Sequence, residues 1–254
     1  MTEKLQQFWY SKSSLRYLLW PLHLMLVILV KIRKQLLGII YQNRACSVPI
    51  VIIGNITVGG VGKTPSLIAL AKHLQDKGKR VGIISRGYGA KTDQYPYKVT
   101  TKDNAETVGD EPLMIVNNLD VPLYIDPDRF RAAQSLSNNE KIDVILSDDG
   151  LQHYAMPRYI EVLLSDLNRG FGNGLIIPFG PLREPLSRAK EVDFHVKVAQ
   201  SHYTCSPVHE HLIHIKPTSL IHIQSGRQYA LEHFENQQIT ALSAIADNEK
   251  FFNT

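Results

Sequence analysis

The first apolar block of the chain lies at residues 17–30, where fourteen positions hold only His23 as a clearly polar side chain. The run is shorter than the ~20 residues a spanning helix needs. It starts too late, and lacks the small-residue cleavage site, of a signal peptide. Lys31, Arg33 and Lys34 follow at once, and Tyr17 and Trp20 suit a headgroup boundary. The pattern predicts a monotopic helix lying in the inner leaflet of a membrane. A helix packed on the domain or on a partner would satisfy the same spacing.

After Arg44 the texture changes. Residues 48–53 are a continuous β-branched run, as in a strand buried on both faces. A glycine-rich turn follows, then helical apolar spacing over 65–74 with a proline at an early, tolerated position. Further strands are predicted at 80–85, 121–125, 142–147, 160–164 and 194–198, and a helix at 126–138 with Asp126 or Asp128 as its N-cap. Alternating strand and helix signals predict an α/β, P-loop NTPase-like fold, a parallel sheet flanked by helices. Residues 211–215 and 220–223 alternate polar and apolar instead, which suggests half-exposed strands of a smaller C-terminal α/β subdomain. The expected organisation is a membrane-associated segment at 1–44, an α/β core domain at 45–200 and a smaller C-terminal part at 201–254.

Charge narrows the partners. The net charge is +4, but residues 1–44 hold seven basic side chains against Glu3 alone, so the remainder is slightly acidic. A nucleic-acid binder carries its basic stripe on the folded domain, so no nucleic-acid partner is expected. Cys46 and Cys205 form no CxxC pair and read as reduced thiols. His202, His209 and His211 near Cys205 match no standard zinc spacing.

The chemistry centres on Thr57, Val58, Gly59, Gly60, Val61, Gly62, Lys63 and Thr64, set between a buried strand and a helix. That is the context of a Walker A loop, whose backbone N–H groups cradle phosphates at a helix N-terminus. Lys63 would contact the β- and γ-phosphates of ATP, and the Thr64 hydroxyl would sit on Mg²⁺. Thr57 replaces the usual first glycine of the loop, while Gly59 and Gly60 still permit close approach. The strand at 144–147 runs into Asp148 and Asp149, a Walker B arrangement in which either carboxylate organises Mg²⁺. Asp110 and Glu111 could hold metal or accept a hydroxyl proton. An N-cap and first-turn role explains both acids more simply. Arg86 ends a strand where it could face a phosphate. The turn-rich stretches at 171–174 and 179–184 could line an acceptor pocket.

In order and spacing, these residues resemble the tetraacyldisaccharide 4′-kinase family of Gram-negative bacteria. The match runs over the N-terminal apolar helix, the loop from Gly54 to Pro65, Ser85-Arg86-Gly87-Tyr88-Gly89 and Gly109-Asp110-Glu111-Pro112. It continues through Asp128-Arg129, Asp148-Asp149-Gly150-Leu151-Gln152-His153, Phe171-Gly172-Asn173-Gly174 and Gly180-Pro181-Leu182-Arg183-Glu184. The resemblance implies transfer of the ATP γ-phosphate to the 4′-hydroxyl of an acylated glucosamine disaccharide 1-phosphate, at the cytoplasmic face of the inner membrane. It implies Asp110 as general base, in place of the capping role. It implies Glu111, Asp148 and Asp149 at positions tied to metal or catalysis. Arg129, Gln152, His153 and Arg183 match positions around the nucleotide or acceptor. No obligate protein partner is implied. Family members continue past the position matching Thr254, and the further part includes a histidine that supports the catalytic aspartate. A chain without it is expected to bind nucleotide more securely than it turns over.

Two other readings fit parts of the pattern. The loop resembles that of membrane-associated partitioning ATPases, but their signature lysine would fall at Val58. An inactive kinase that still binds ATP is the other.

Overall fold

The computed structural model describes residues 3–11, 15–200 and 211–242. Cys205, His202 and His209 of the discounted zinc cluster, and residues 243–254, lie outside the described residues.

Helices α1 (Glu3–Tyr10), α2 (Leu15–Leu18) and α3 (Trp20–Ile40) precede the sheet. Pro21 opens α3, where its missing N–H costs no hydrogen bond. The core then runs β1 (Ile50–Gly54), α4 (Lys63–Asp76), β2 (Val81–Ser85), β3 (Tyr97–Val99), α5 (Ala105–Val108), α6 (Asp110–Asn118) and β4 (Leu123–Ile125). It continues with α7 (Arg129–Asn139), β5 (Val144–Asp148), β6 (Ile160–Asp166), β7 (Phe194–Gln200) and β8 (Leu212–Ile215). These eight strands form one sheet in the order β3-β4-β2-β5-β1-β6-β7-β8. Every neighbouring pair is parallel except β3, which runs antiparallel to β4 at the edge.

Helices cover both faces, as a parallel sheet requires. On one face Ile53, Ile83, Leu123 and Leu146 pack against Leu67 and Ala71 of α4 and Ile115 and Val116 of α6. On the other, Ile50, Ile52, Ile84 and Ile145 meet Ala132, Ala133 and Leu136 of α7, with Val27 and Val30 of α3 packed alongside. Successive residues of β1 therefore serve opposite layers, which is why its sequence is apolar throughout rather than alternating.

The structure departs from expectation in four places. Leu212–Ile215, expected in the smaller subdomain, is the outermost strand of the main sheet and pairs with β7. The ribbon after it, β9 (Leu220–Ile221) with β10 (Gln228–Tyr229), is shorter than the pattern at 220–223 suggests. The edge strand β3 has too little apolar pattern to be seen in the sequence. The helix expected over 126–138 begins at Arg129 with Asp128 as N-cap, its carboxylate accepting from the Phe130 N–H at 3.0 Å. Asp126 accepts from the Arg131 guanidinium instead.

Among the described residues, no helix is long and apolar enough to cross a membrane. Within α3, His23, Val27, Val30 and Lys34 are half-buried, while Leu22, Met25, Leu29, Ile32, Leu36 and Ile39 are exposed. Those six recur at three- and four-residue intervals, so they form one uncovered apolar stripe along the helix.

Candidate active site

The C-terminal ends of the parallel strands gather the polar residues, the edge at which open α/β sheets bind ligands. β1 ends at Gly54 and passes into the glycine loop, and β5 lies directly beside it, with Ile53 paired to Asp148. This register sets the two carboxylates next to the loop.

The loop is shaped from its first residue. Thr57 forms an isolated antiparallel bridge with Leu182, the Val58 N–H donates to the Pro181 carbonyl at 2.7 Å, and the Arg183 N–H donates to the Ile56 carbonyl at 2.7 Å. A β-branched residue suits that extended pairing, so the structure does not need the usual glycine at 57. The need for glycine moves to Gly59, with φ 101°, and Gly62, with φ 79°, which caps α4. Gly60 and Val61 complete the turn, and Lys63 and Thr64 open α4.

Lys63 Nζ lies 3.3 Å from the Asn55 Oδ1 and 3.6 Å from Asp149 Oδ1. Asp149 gathers the other cations. Its Oδ2 accepts from Arg183 Nη1 at 3.0 Å, and its main-chain carbonyl accepts from Arg129 Nη2 at 3.0 Å. Its φ of 46° turns the chain out of β5 so that these groups converge.

The adjacent acids are electrically unlike. Burial pushes Asp148 up to about 6, and the charges of Glu111 and Asp149 add to that. Burial also raises Asp149, but Lys63 and Arg183 outweigh it and hold the carboxyl below its ordinary value. Asp148 Oδ2 lies 3.5 Å from the Ser85 hydroxyl, and its buried Oδ1 has no donor among the described residues. A buried carboxylate oxygen without a protein donor, with the buried Thr64 at the head of α4, is a donor set that fits a hard cation.

Asp110 and Glu111 occupy the first turn of α6, with Gly109 rather than Asp110 as the cap. Both are exposed, and Glu111 acts electrostatically on Asp148. A Cβ on Gly109 would come 2.6 Å from the Tyr88 carbonyl, so the Arg86–Gly89 turn and the Asp110 turn lie against each other. Arg86 is exposed and near enough to Arg129 for the like charges to register. Gln152 is engaged internally, donating to the Asn55 carbonyl at 3.1 Å and to Glu184 Oε2 at 2.9 Å. His153 is pushed down to about 4 by burial and then by Arg129, so it is neutral near pH 7. Its approach to Asp128 at 3.8 Å is therefore not an ion pair there.

Sequence reasoning gave no role of their own to Asn55, Tyr154 and Glu184. The buried Glu184 accepts from Gln152 and Tyr154 and links the 179–184 stretch to the loop behind the phosphate site. Nothing local in the sequence marks these pairings, which span up to 97 residues. The N-terminal segment also reaches the site. Trp9 Nε1 donates to the Pro178 carbonyl at 3.0 Å, the Asn173 N–H donates to the Trp9 carbonyl at 2.7 Å, and the Ile176 N–H donates to His23 Nδ1 at 3.1 Å. Residues 173–183 thus tie α1 and α3 to the start of the loop.

A glycine loop between a parallel strand and a helix, with a loop lysine facing paired acids on the next strand, defines a P-loop nucleotide-binding protein. The family described as Tetraacyldisaccharide-1-P 4'-kinase matches residues 15–254, and the chain belongs to it. It is 44% identical to the tetraacyldisaccharide 4'-kinase of Pseudomonas fluorescens, over 100% of this chain and 75% of that protein. It is 42% identical to the enzyme of the same name from Stutzerimonas stutzeri, over 100% of this chain and 76% of that protein. The chain therefore spans about three quarters of the length of these relatives. Its fold matches the crystal structure of "apo" form LpxK from Aquifex aeolicus in complex with ATP, with a TM-score of 0.75 and 26% identity. That match covers 94% of this chain and 77% of the other.

Proposed function

We propose that this protein transfers the γ-phosphate of ATP to the 4′-hydroxyl of a tetraacyl glucosamine disaccharide 1-phosphate, at the cytoplasmic face of the bacterial inner membrane. The observation that carries the reading is the convergence of Lys63, Arg129 and Arg183 on Asp149 beside the glycine loop. Phosphoryl transfer needs little covalent help from the protein, and positioning with charge neutralisation supplies most of the catalysis. In this reading the N–H groups of Gly59 to Thr64 cradle the phosphates, and Lys63 leaves Asn55 and Asp149 for the β- and γ-phosphate oxygens. Arg86, Arg129 and Arg183 balance the charge that collects there. Thr64, Glu111 and Asp148 would hold Mg²⁺, which when bound would neutralise charge on the phosphates. Asp149 keeps Lys63 and Arg183 oriented. Asp110, exposed on the α6 turn beside Tyr88, takes the proton of the attacking hydroxyl. Gln152 and His153 shape the acceptor side from behind.

The uncovered apolar stripe of α3 supports a lipid-facing role for the same helix that contacts the 173–183 stretch. An acceptor carrying acyl chains then reaches the phosphate site without leaving the membrane surface.

The test is transfer of labelled γ-phosphate from ATP-Mg²⁺ to the disaccharide lipid in mixed micelles. Lys63→Ala is expected to lower transfer on the order of 10²-fold or more. Asp110→Ala is expected to lower turnover about 10²- to 10⁴-fold with ATP affinity little changed. Full turnover in Asp110→Ala would remove it as the base. ATP hydrolysis without lipid product would point to an ATPase instead.

A further inference from the structure

The loop lysine has a partner that its motif does not announce. Asn55 is fully buried at the exit of β1, and both polar atoms of its side chain are engaged. Its Nδ2 lies 2.8 Å from the Thr57 carbonyl, 3.1 Å from the Thr57 hydroxyl and 3.4 Å from the Gly59 carbonyl. Its Oδ1 accepts from Lys63 Nζ at 3.3 Å. The amide orientation is forced by chemistry. Reversed, its oxygen would face two carbonyls and its NH₂ would face an ammonium, leaving no acceptor for either donor. The main-chain carbonyl of Asn55 is fixed in turn by Gln152.

We infer that Asn55 is a positioning residue of the phosphate loop, setting the place of the Lys63 ammonium through its amide oxygen while its amide nitrogen ties down the turn at Thr57 and Gly59. A neutral acceptor suits this task. An ammonium between two carboxylates would be held by two charges and would leave them reluctantly for a phosphate, whereas a neutral amide holds it weakly and guides it. Asp149 already supplies the one charge the lysine needs. The same bonds explain how Thr57 can stand where a glycine is usual, since the Asn55 amide takes over the fixing of that end of the turn.

The inference rests on the nucleotide reading of the loop, so binding of Mg²⁺-ATP and Mg²⁺-ADP to the full chain is measured first by calorimetry. Wild-type protein that binds neither would overturn that reading and this inference together. If Asn55 acts through Lys63, Asn55→Ala weakens ATP about tenfold, the cost of ordering a lysine side chain that is no longer pre-placed, and ADP distinctly less. Its ATP-over-ADP preference then matches that of Lys63→Ala, and the double variant loses no more preference than Lys63→Ala alone. Equal losses for ATP and ADP, or preference losses that multiply in the double variant, would leave Asn55 a merely structural tie. Asn55→Asp preserves size where the alanine variant fails to fold. Its carboxylate retains the ammonium, so the ATP preference again falls, and an unchanged preference overturns the inference.

Discussion

Asp148 and Asp149 are neighbours of one residue type, yet their environments drive them apart. Asp148 ends β5 inside the sheet, where burial outweighs the pull of Lys63 and Arg129. Asp149 sits one residue on at a positive φ, where Lys63 and Arg183 reach it. A spacing argument sees two equivalent acids; only the turn between them separates their roles. His153 shows the same dependence and gives a test. An exposed histidine in the unfolded chain takes a proton near 6.5, whereas buried His153 takes one only at about 4. Between those values the unfolded state binds more protons, so this group makes stability fall as pH drops from about 6.5 to 4. The effect is at most ~3 kcal/mol. Thermal melts at pH 7 and pH 5 should show a smaller loss of Tm in His153→Gln than in the parent. Parallel losses would contradict the assignment.

Among the elements, β1, its loop and α4 were the most legible in the sequence, because strand, glycine turn and helix are adjacent and each carries its own periodicity. What the sequence leaves open is the packing that fixes the loop. A Cβ on Gly62 would come 2.4 Å from Ile215 Cδ1 and 3.2 Å from Val198 Cγ1, at a φ that L side chains rarely adopt. The last two strands of the sheet, β7 and the edge strand β8, therefore press on the phosphate loop. Gly62→Ala should cost about 1–3 kcal/mol from backbone strain alone, with a further steric part. A combined Gly62→Ala, Ile215→Ala variant should recover that steric part, visible in denaturant midpoints. No recovery would place the whole cost in the backbone. The strand β3 and the first turn of α6 were less legible. Three residues of edge strand leave little pattern, and Gly109 serves at once as the C-cap of α5 and the N-cap of α6.

At the scale of the whole molecule, the N-terminal helices and the phosphate site form one continuous structure. α3 packs Val27 and Val30 against the core and keeps a row of large apolar side chains in the open, including Leu22, Met25, Leu29 and Ile32. Replacing Met25 and Leu29 together by Asp should weaken binding to anionic phospholipid vesicles by at least about tenfold, given the apolar area each side chain would otherwise bury. The same variant should raise the KM for the lipid acceptor and leave that for ATP unchanged. Undiminished vesicle sedimentation would show that the stripe meets something other than lipid.

The sequence by itself determined the α/β class, the glycine loop, the acids at the end of β5 and the apolar N-terminal segment, because each is written in residues close along the chain. Spacing alone favoured a capping role for Asp110, and the family resemblance, not periodicity, suggested a catalytic one. Only the tertiary structure decided that Asn55 and Asp149 share Lys63, that Arg183 crosses 34 residues to reach Asp149, and that Leu212–Ile215 joins the main sheet. It also decided which side of α3 stays uncovered. Periodicity reports how one element meets an average surface. The partner of a buried charge is set by chain crossings far away in sequence, and those are fixed only when the layers pack.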